Sequence, residues 1–327
     1  MQVRDMAEGV KVRGHYLVTR KELIPFNSKP GRFLLMQLAD RTGEIRGIVW
    51  EQGEELAAQL STGDVVAVEG RVTVFRDSLQ IVCASVMKPL PGEYSVEDFL
   101  PSSKRDREAM LAELREVMEG VSDPDCQGLL QSVFTADFTE TFSVAPAARS
   151  MHQAYVGGLL EHTLNVVRLC QTVAFLYPEV QRDLLVTGAL LHDVGKVEEY
   201  AVEAGIEITD SGRLLGHVVM GYSLVNEAIR GLGDFAEEKA LRIRHMLLSH
   251  HGQLEWGSPK QPKTLEACIL HHCDNLDGQV SKFAEILEVG SSGERWTNYD
   301  TRVGRSLFVG DVAAFDEGLR AVPEERE

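Results

Sequence analysis

Among the side chains from residue 162 onward of types that bind divalent cations, seven stand out: His162, His192, Asp193, His217, His250, His251 and Asp274. Each stands on or at the end of an apolar run. The clearest case is Leu190-Leu191-His192-Asp193-Val194-Gly195-Lys196, which closes the run Leu184 to Leu191. An imidazole and a carboxylate are costly to bury together unless something pairs with them. Such a run ends either as a polar helix terminus capped by Gly195 or as a pair of metal ligands. One buried histidine is usually a hydrogen-bonded core residue. Five of them with two aspartates are hard to satisfy without cations. Imidazole and carboxylate without thiolate suit Mn, Fe, Co or Zn better than Mg alone. A cation held there would acidify a water bound to it.

The elements that must position these residues read as helices. Periodic apolar segments predict helices from Gly157-Gly158 to Tyr177, over Val180–His192, Gly212–Gly231 and Phe235–His251, and from Thr264 onward. No β signal interrupts this part. Inward side chains on facing helices are how all-α bundles build metal sites.

Upstream the pattern is different. From residue 12 to about 88 the sequence predicts five strands, with a short helix, Glu54 to Leu60, between the third and fourth. Asp40-Arg41-Thr42-Gly43 and Arg76-Asp77-Ser78 are the turns. Gly47 inside a strand suggests a bulge or bend. This is the element order of an OB-fold barrel. Alternation puts Val66, Val68, Val72 and Val74 on one face, with Arg71, Thr73 and Phe75 on the other. Phe33, Gln37 and Arg46 are expected beside them. Aromatics interleaved with arginine suit single-stranded nucleic acid, because bases stack and phosphates pair.

Between the two parts, Pro89, Pro91, Gly92 and Pro101 mark a boundary, and helices are expected over Lys104–Gly120 and Pro124–Val133. The expected organisation is multidomain: an all-β OB-fold barrel over 1–90, a helical connector over 91–145 and an all-α domain over 146–327. The 327-residue chain is long enough for two cores. Its net charge of −17 would argue against a polyanionic partner, but it is unevenly spread. Residues 1–90 hold 12 Lys+Arg and 11 Asp+Glu, and the rest holds 21 and 39. No apolar run is long enough to span a membrane, the N-terminus lacks a signal-peptide core, and five dispersed cysteines read as reduced thiols. A cytoplasmic protein is expected. The tail after Asp300 offers no chemistry and leaves homo-oligomerisation open.

The order His162 … His192-Asp193 … Lys196 … His217 … His250-His251 … Asp274 resembles the HD-domain metal-dependent phosphohydrolases over roughly residues 150–290. The Asp40–Trp50 stretch resembles OB-fold nucleic-acid-binding domains. Together with Gly216-His217, Ser249-His250-His251-Gly252, the segment Gly257 to Ala267 and Asp274-Asn275-Leu276-Asp277, the whole chain resembles YhaM-type 3′–5′ exoribonucleases. That resemblance implies a binuclear centre loaded with Mn or Co. His162, His192, Asp193 and Asp274 would hold the first metal. His217, His250 and His251 would serve the second, Asp193 bridging the two, and Lys196 would reach a phosphate oxygen. It implies hydrolysis of single-stranded RNA, or single-stranded DNA, from the 3′ end. Lys260 and Lys263 would form a basic lip. His15, His152 and His272 have no place in the pattern. Two alternatives stay open: a phosphohydrolase of free or cyclic nucleotides, and a nucleic-acid-binding factor without catalysis.

Overall fold

A computed structural model describes residues 1–26, 30–76, 78–90, 92–94, 98–99, 102–148, 155–202, 206–289 and 295–310. The chain divides into two units, residues 1–102 with 201–207, and residues 103–200 with 208–327.

The first unit is a closed five-stranded barrel in the order β1-β2-β3-β5-β4: β1 Lys11–Pro25, β2 Arg32–Asp40, β3 Gly43–Val49, β4 Val65–Phe75 and β5 Ser78–Met87. Helix α1, Gly53–Gln59, lies between β3 and β4, as expected. All pairings are antiparallel except β3 with β5, which closes the barrel in parallel. The interior is filled by Tyr16, Val18, Leu34, Met36, Leu38, Val66, Val68, Val72 and Ile81. Two expectations fail here. Val74 is 45% exposed, because the β4–β5 hairpin runs past the end of the core. Gly47 is not at a bulge; the register shifts lie at Val18/Arg20 and Glu69/Gly70. A Cβ at Gly47 would come within 2.6 Å of the Leu38 side chain, so glycine there makes room for an interior leucine.

The second unit is helical and built around one core. It contains α2 Arg107–Glu119, α3 Pro124–Val133, α4 Ala136–Val144, α5 Gly158–Leu176, α6 Arg182–Leu191 and α7 Lys196–Glu199. It continues with α8 Asp210–Leu215, α9 His217–Gly231, α10 Glu237–Ser249 and α11 Leu265–Val289. Side-chain caps start the first three: Asp106, Asp123 and Thr135 each accept a backbone N–H. Leu184 through Leu191 are all buried, which makes α6 the central rod, packed by α3, α5, α10 and α11. Helices α2 to α4 contribute Leu114, Leu129, Leu130 and Phe142 to this same core.

Two local features differ from the sequence reading. A small hairpin, β6 Tyr200–Val202 with β7 Ile206–Ile208, interrupts the helices, its strands too short for alternation to be read. The helix expected over Gly212–Gly231 breaks at Gly216, whose φ of +75° only glycine adopts readily. His152 and tail residues 311–327 lie outside the described residues.

Candidate metal centre and nucleic-acid interface

The central rod α6 delivers His192 and Asp193 into the middle of the helical unit. His162 comes from the second turn of α5, His217 from the first residue of α9 after the Gly216 break, His250 and His251 from the end of α10, and Asp274 from α11. Gly195 allows the approach of α9: a Cβ there would fall 2.1 Å from the His217 carbonyl oxygen.

The two oxygens of Asp193 face two different histidine sets. Oδ2 lies 3.5 Å from His162 Nε2 and 3.3 Å from His192 Nε2. Oδ1 lies 3.5 Å from His217 Nε2 and 3.6 Å from His250 Nε2. Asp274 Oδ1 is 3.2 Å from His162 Nε2, on the first side. Ligand atoms of His162, His192 and Asp193 lie within 4.8 Å of one another, and so do those of His217, His250 and His251. His162, His192, Asp193 and His250 are all at most 2% exposed.

Hydrogen bonds from the opposite ring edges fix which nitrogen faces inward. Nδ1 of His162 lies 2.7 Å from Asp277 Oδ2, and Nδ1 of His217 lies 2.8 Å from Glu199 Oε2. Nδ1 of His192 and of His250 donate to the carbonyl oxygens of Ala189 and Leu247. A carboxylate or carbonyl partner assigns the proton to Nδ1, so Nε2 presents a lone pair. The Nε2 atoms of His162 and His192 then oppose each other at 3.3 Å; Nε2 of His217 lies at the same distance from Nε2 of His251, whose Nδ1 is buried without a partner among the described residues. Lone pairs at that distance need a proton or a cation between them. Asp193 Oδ1 and His250 Nε2 are buried without a hydrogen-bond partner among the described residues. The donor set therefore fits divalent cations.

The charge balance agrees. Burial disfavours a charged His162 ring, yet Asp274, Asp277 and Asp193 outweigh it and raise the ring to about 9. Surroundings that draw a proton so strongly also draw a cation. Burial pushes His250 and His251 below the usual histidine value, leaving both as neutral ligands. Asp193 stays well below the carboxylate range: burial works against it, but Lys196 and His192 prevail. Lys196 Nζ donates to Asp193 Oδ2 at 2.6 Å.

His162, Asp193, Lys196, His217, His251 and Asp274 line a cavity of about 430 Å³, together with Tyr200, Trp256 and, from α11, His271, Asn275, Gln279 and Lys282. Lys260 and Lys263 are exposed and are not in its wall. Their backbones are tied to Leu248 and His245 of α10.

Residues 159–279 match the HD domain family, and residues 10–89 match a family described as OB-fold nucleic acid binding domain. The chain is 34% identical over 272 residues to the 3′-5′ exoribonuclease YhaM of Geobacillus sp. (strain WCH70), covering 83% of each chain. It is 32% identical over 287 residues to the protein of that name from Bacillus subtilis (strain 168), covering 87% of this chain and 90% of the relative. This chain belongs to the YhaM family.

In this YhaM-family chain the five barrel residues expected to bind nucleic acid share one outer face. Gln37 pairs with Arg46, Arg46 with Gln80 and Gln80 with Thr73, with Arg71 and Phe75 two positions either side of Thr73. The face is not one aromatic platform. Phe33 lies four positions from Gln37, and Phe75 lies at the opposite end of the same face. Along the strands this separates them by roughly 20 Å. Arg71 Nη1 donates to the Gly9 carbonyl oxygen at 2.8 Å.

The residue reading missed several participants. Trp50 and Phe26 gather around Phe33, with centroids 4.8 Å and 5.5 Å from it, and Trp50 is 43% exposed. Trp50 follows β3 at the point where Phe33 begins β2, a proximity that strand register would have revealed. Asp277 and Glu199 hold His162 and His217; the spacing of Asp277 about one helical turn from Asp274 on α11 is a signal for the first, and Glu199 has none. His271 holds the His250 carbonyl oxygen through Nδ1 at 2.8 Å.

Proposed function

We propose that this protein is a 3′–5′ exoribonuclease that hydrolyses phosphodiester bonds of single-stranded RNA at a centre of two divalent cations, Mn the preferred ion. The carrying observation is the split of Asp193, whose two oxygens face separate histidine sets. That arrangement supports a bridging carboxylate. His162, His192 and Asp274 would complete one side, and His217, His250 and His251 the other. When bound, the cations supply Lewis acidity toward phosphate oxygens and make hydroxide available near neutral pH. Lys196 sits in the cavity wall, and once Asp193 turns to the cations its ammonium is free to pair with a phosphate oxygen. Glu199 and Asp277 keep the rings from turning. The neutral His250 and His251 need release no proton on ligation.

The barrel face would hold the strand, Phe33 with Trp50 and Phe26 stacking bases while Gln37 and Arg46 pair with backbone and base edges. Phe75 at the other end would stack a further base, while Arg71, and Lys260 and Lys263 on the helical unit, would pair with phosphates. Five free cysteines support a reducing compartment such as the cytoplasm, and no described helix is long and apolar enough to cross a membrane.

The test is a 5′-labelled RNA oligomer incubated with Mn²⁺, with a chelator control, alongside Asp193→Ala and elemental analysis of both proteins. Expected are a descending ladder, two metal ions per chain, and loss of both in the variant. Hydrolysis of small nucleotides without any shortening of RNA would overturn the exonuclease reading. One ion per chain would remove the bridge.

A further inference from the structure

Trp256 is a large, exposed side chain of the metal cavity that the cation chemistry does not use. It ends the short turn Leu254–Trp256, five residues after His251, and lines the same cavity as His162, Asp193, His217, His251 and Asp274. Yet it is 57% exposed. Its ring lies beside His271, with centroids 6.1 Å apart and 38° between the planes. His271 cannot move away: Nδ1 is bonded to the His250 carbonyl oxygen, and a Cβ on Gly252 would come within 2.2 Å of the ring. A half-exposed indole backed by a fixed imidazole is a stacking surface already in place.

The cavity is asymmetric along α11. His271 precedes Asp274 by three residues, whereas Lys282 follows it by eight. At the helical rise, the aromatic end lies about 4 Å along the axis from Asp274 and the lysine end about 12 Å. Between them Asn275, Gln279 and Lys282 present one polar helix face to the cavity. The short aromatic end has room for one nucleotide. The long end, closed by a cation, has room for a continuing strand. An enzyme that shortens arbitrary sequence must accept any base, and stacking does so because every base has a π-face.

We propose that Trp256, backed by His271, is the stacking subsite for the base of the 3′-terminal nucleotide, the rest of the strand leaving past Asn275 and Gln279 toward Lys282. The subsite rests on the exonuclease reading above.

The experiment compares two RNA oligomers that differ only at the 3′-terminal nucleotide, one ordinary and one lacking its base, with the unsubstituted protein, Trp256→Ala and Trp256→Phe. Trp256→Ala should lower kcat/KM on the ordinary end about tenfold to hundredfold, chiefly through KM, as loss of one base–aromatic stack does. The same variant should remove the base-less nucleotide as fast as the unsubstituted protein does, with unchanged metal content. Trp256→Phe should keep most of the activity on the ordinary end. Equal slowing on both ends, or slowing on neither, overturns the subsite. If the unsubstituted protein shortens neither oligomer, the exonuclease reading itself falls, and the subsite with it.

Discussion

Four of the five clustered imidazoles are held by Nδ1, and the holders are of two kinds; Nδ1 of His251 is buried without a partner among the described residues. His192 and His250 lean on backbone carbonyl oxygens of their own helices, Ala189 and Leu247. His162 and His217 lean on carboxylates, Asp277 and Glu199. A carboxylate fixes the ring and makes the opposite nitrogen a stronger donor, and loss of such a partner typically costs tenfold to hundredfold in metal affinity. Asp277→Asn and Glu199→Gln should each weaken Mn²⁺ binding, measured calorimetrically, by about that factor. An affinity that stays the same in both would leave these carboxylates as packing. The clustering of these histidines and aspartates was legible in the sequence because a polar residue on an apolar run has to be accounted for. Their holders were not. Glu198-Glu199 reads as a pair of solvated acids, and only the fold shows that the second turns inward to His217. His271, which looks like one more helix-face residue, is legible only once Gly252 is seen against its ring.

At the scale of elements the site depends on where helices stop. Apolar periodicity runs through Gly212–Gly231 unbroken, so the sequence suggested one helix, while the structure divides it at Gly216 into α8 and α9. Periodicity reports a buried stripe and is blind to a residue whose φ turns positive. The break lets His217 open a helix, with its backbone N–H and ring both directed to Glu199. Gly216→Ala forces a side chain into φ +75°, ψ 153°, at a cost of about 1–3 kcal/mol. The space around it is open, the nearest atom to a new Cβ being Glu199 Oε1 at 4.0 Å, so strain rather than collision sets the effect. The expected outcome is a lower Tm together with a loss of bound Mn²⁺ greater than in Gly231→Ala, at the far end of the same helix. Equal metal content in the two variants would show that the break does not position His217. The barrel was easier to read, since its turns carry Asp and Gly at the required places. Of the two strand features misassigned, Val74 lies beyond the core and Gly47 meets an interior space demand that resembles a bulge in sequence.

Over the whole molecule the charge is divided: near neutrality in residues 1–90 and strong acidity beyond. A barrel with so little excess positive charge cannot bind RNA by counterion release alone, so stacking has to carry much of its affinity. The Phe26–Phe33–Trp50 cluster is the place for it. In an Asp193→Ala background, which spares the RNA, Phe33→Ala with Trp50→Ala should weaken binding by about 1–3 kcal/mol for each base unstacked. The slope of log K against log salt should not change, because no phosphate contact is lost. Arg46→Ala should do the reverse: a smaller loss of affinity, with the slope reduced by about 0.7, the value for one phosphate on a single strand. Both measurements come from the same titrations at several salt concentrations. If the aromatic pair alters the slope and Arg46 does not, this face does not carry the strand, and binding must be sought at Lys11 and Arg13 of β1.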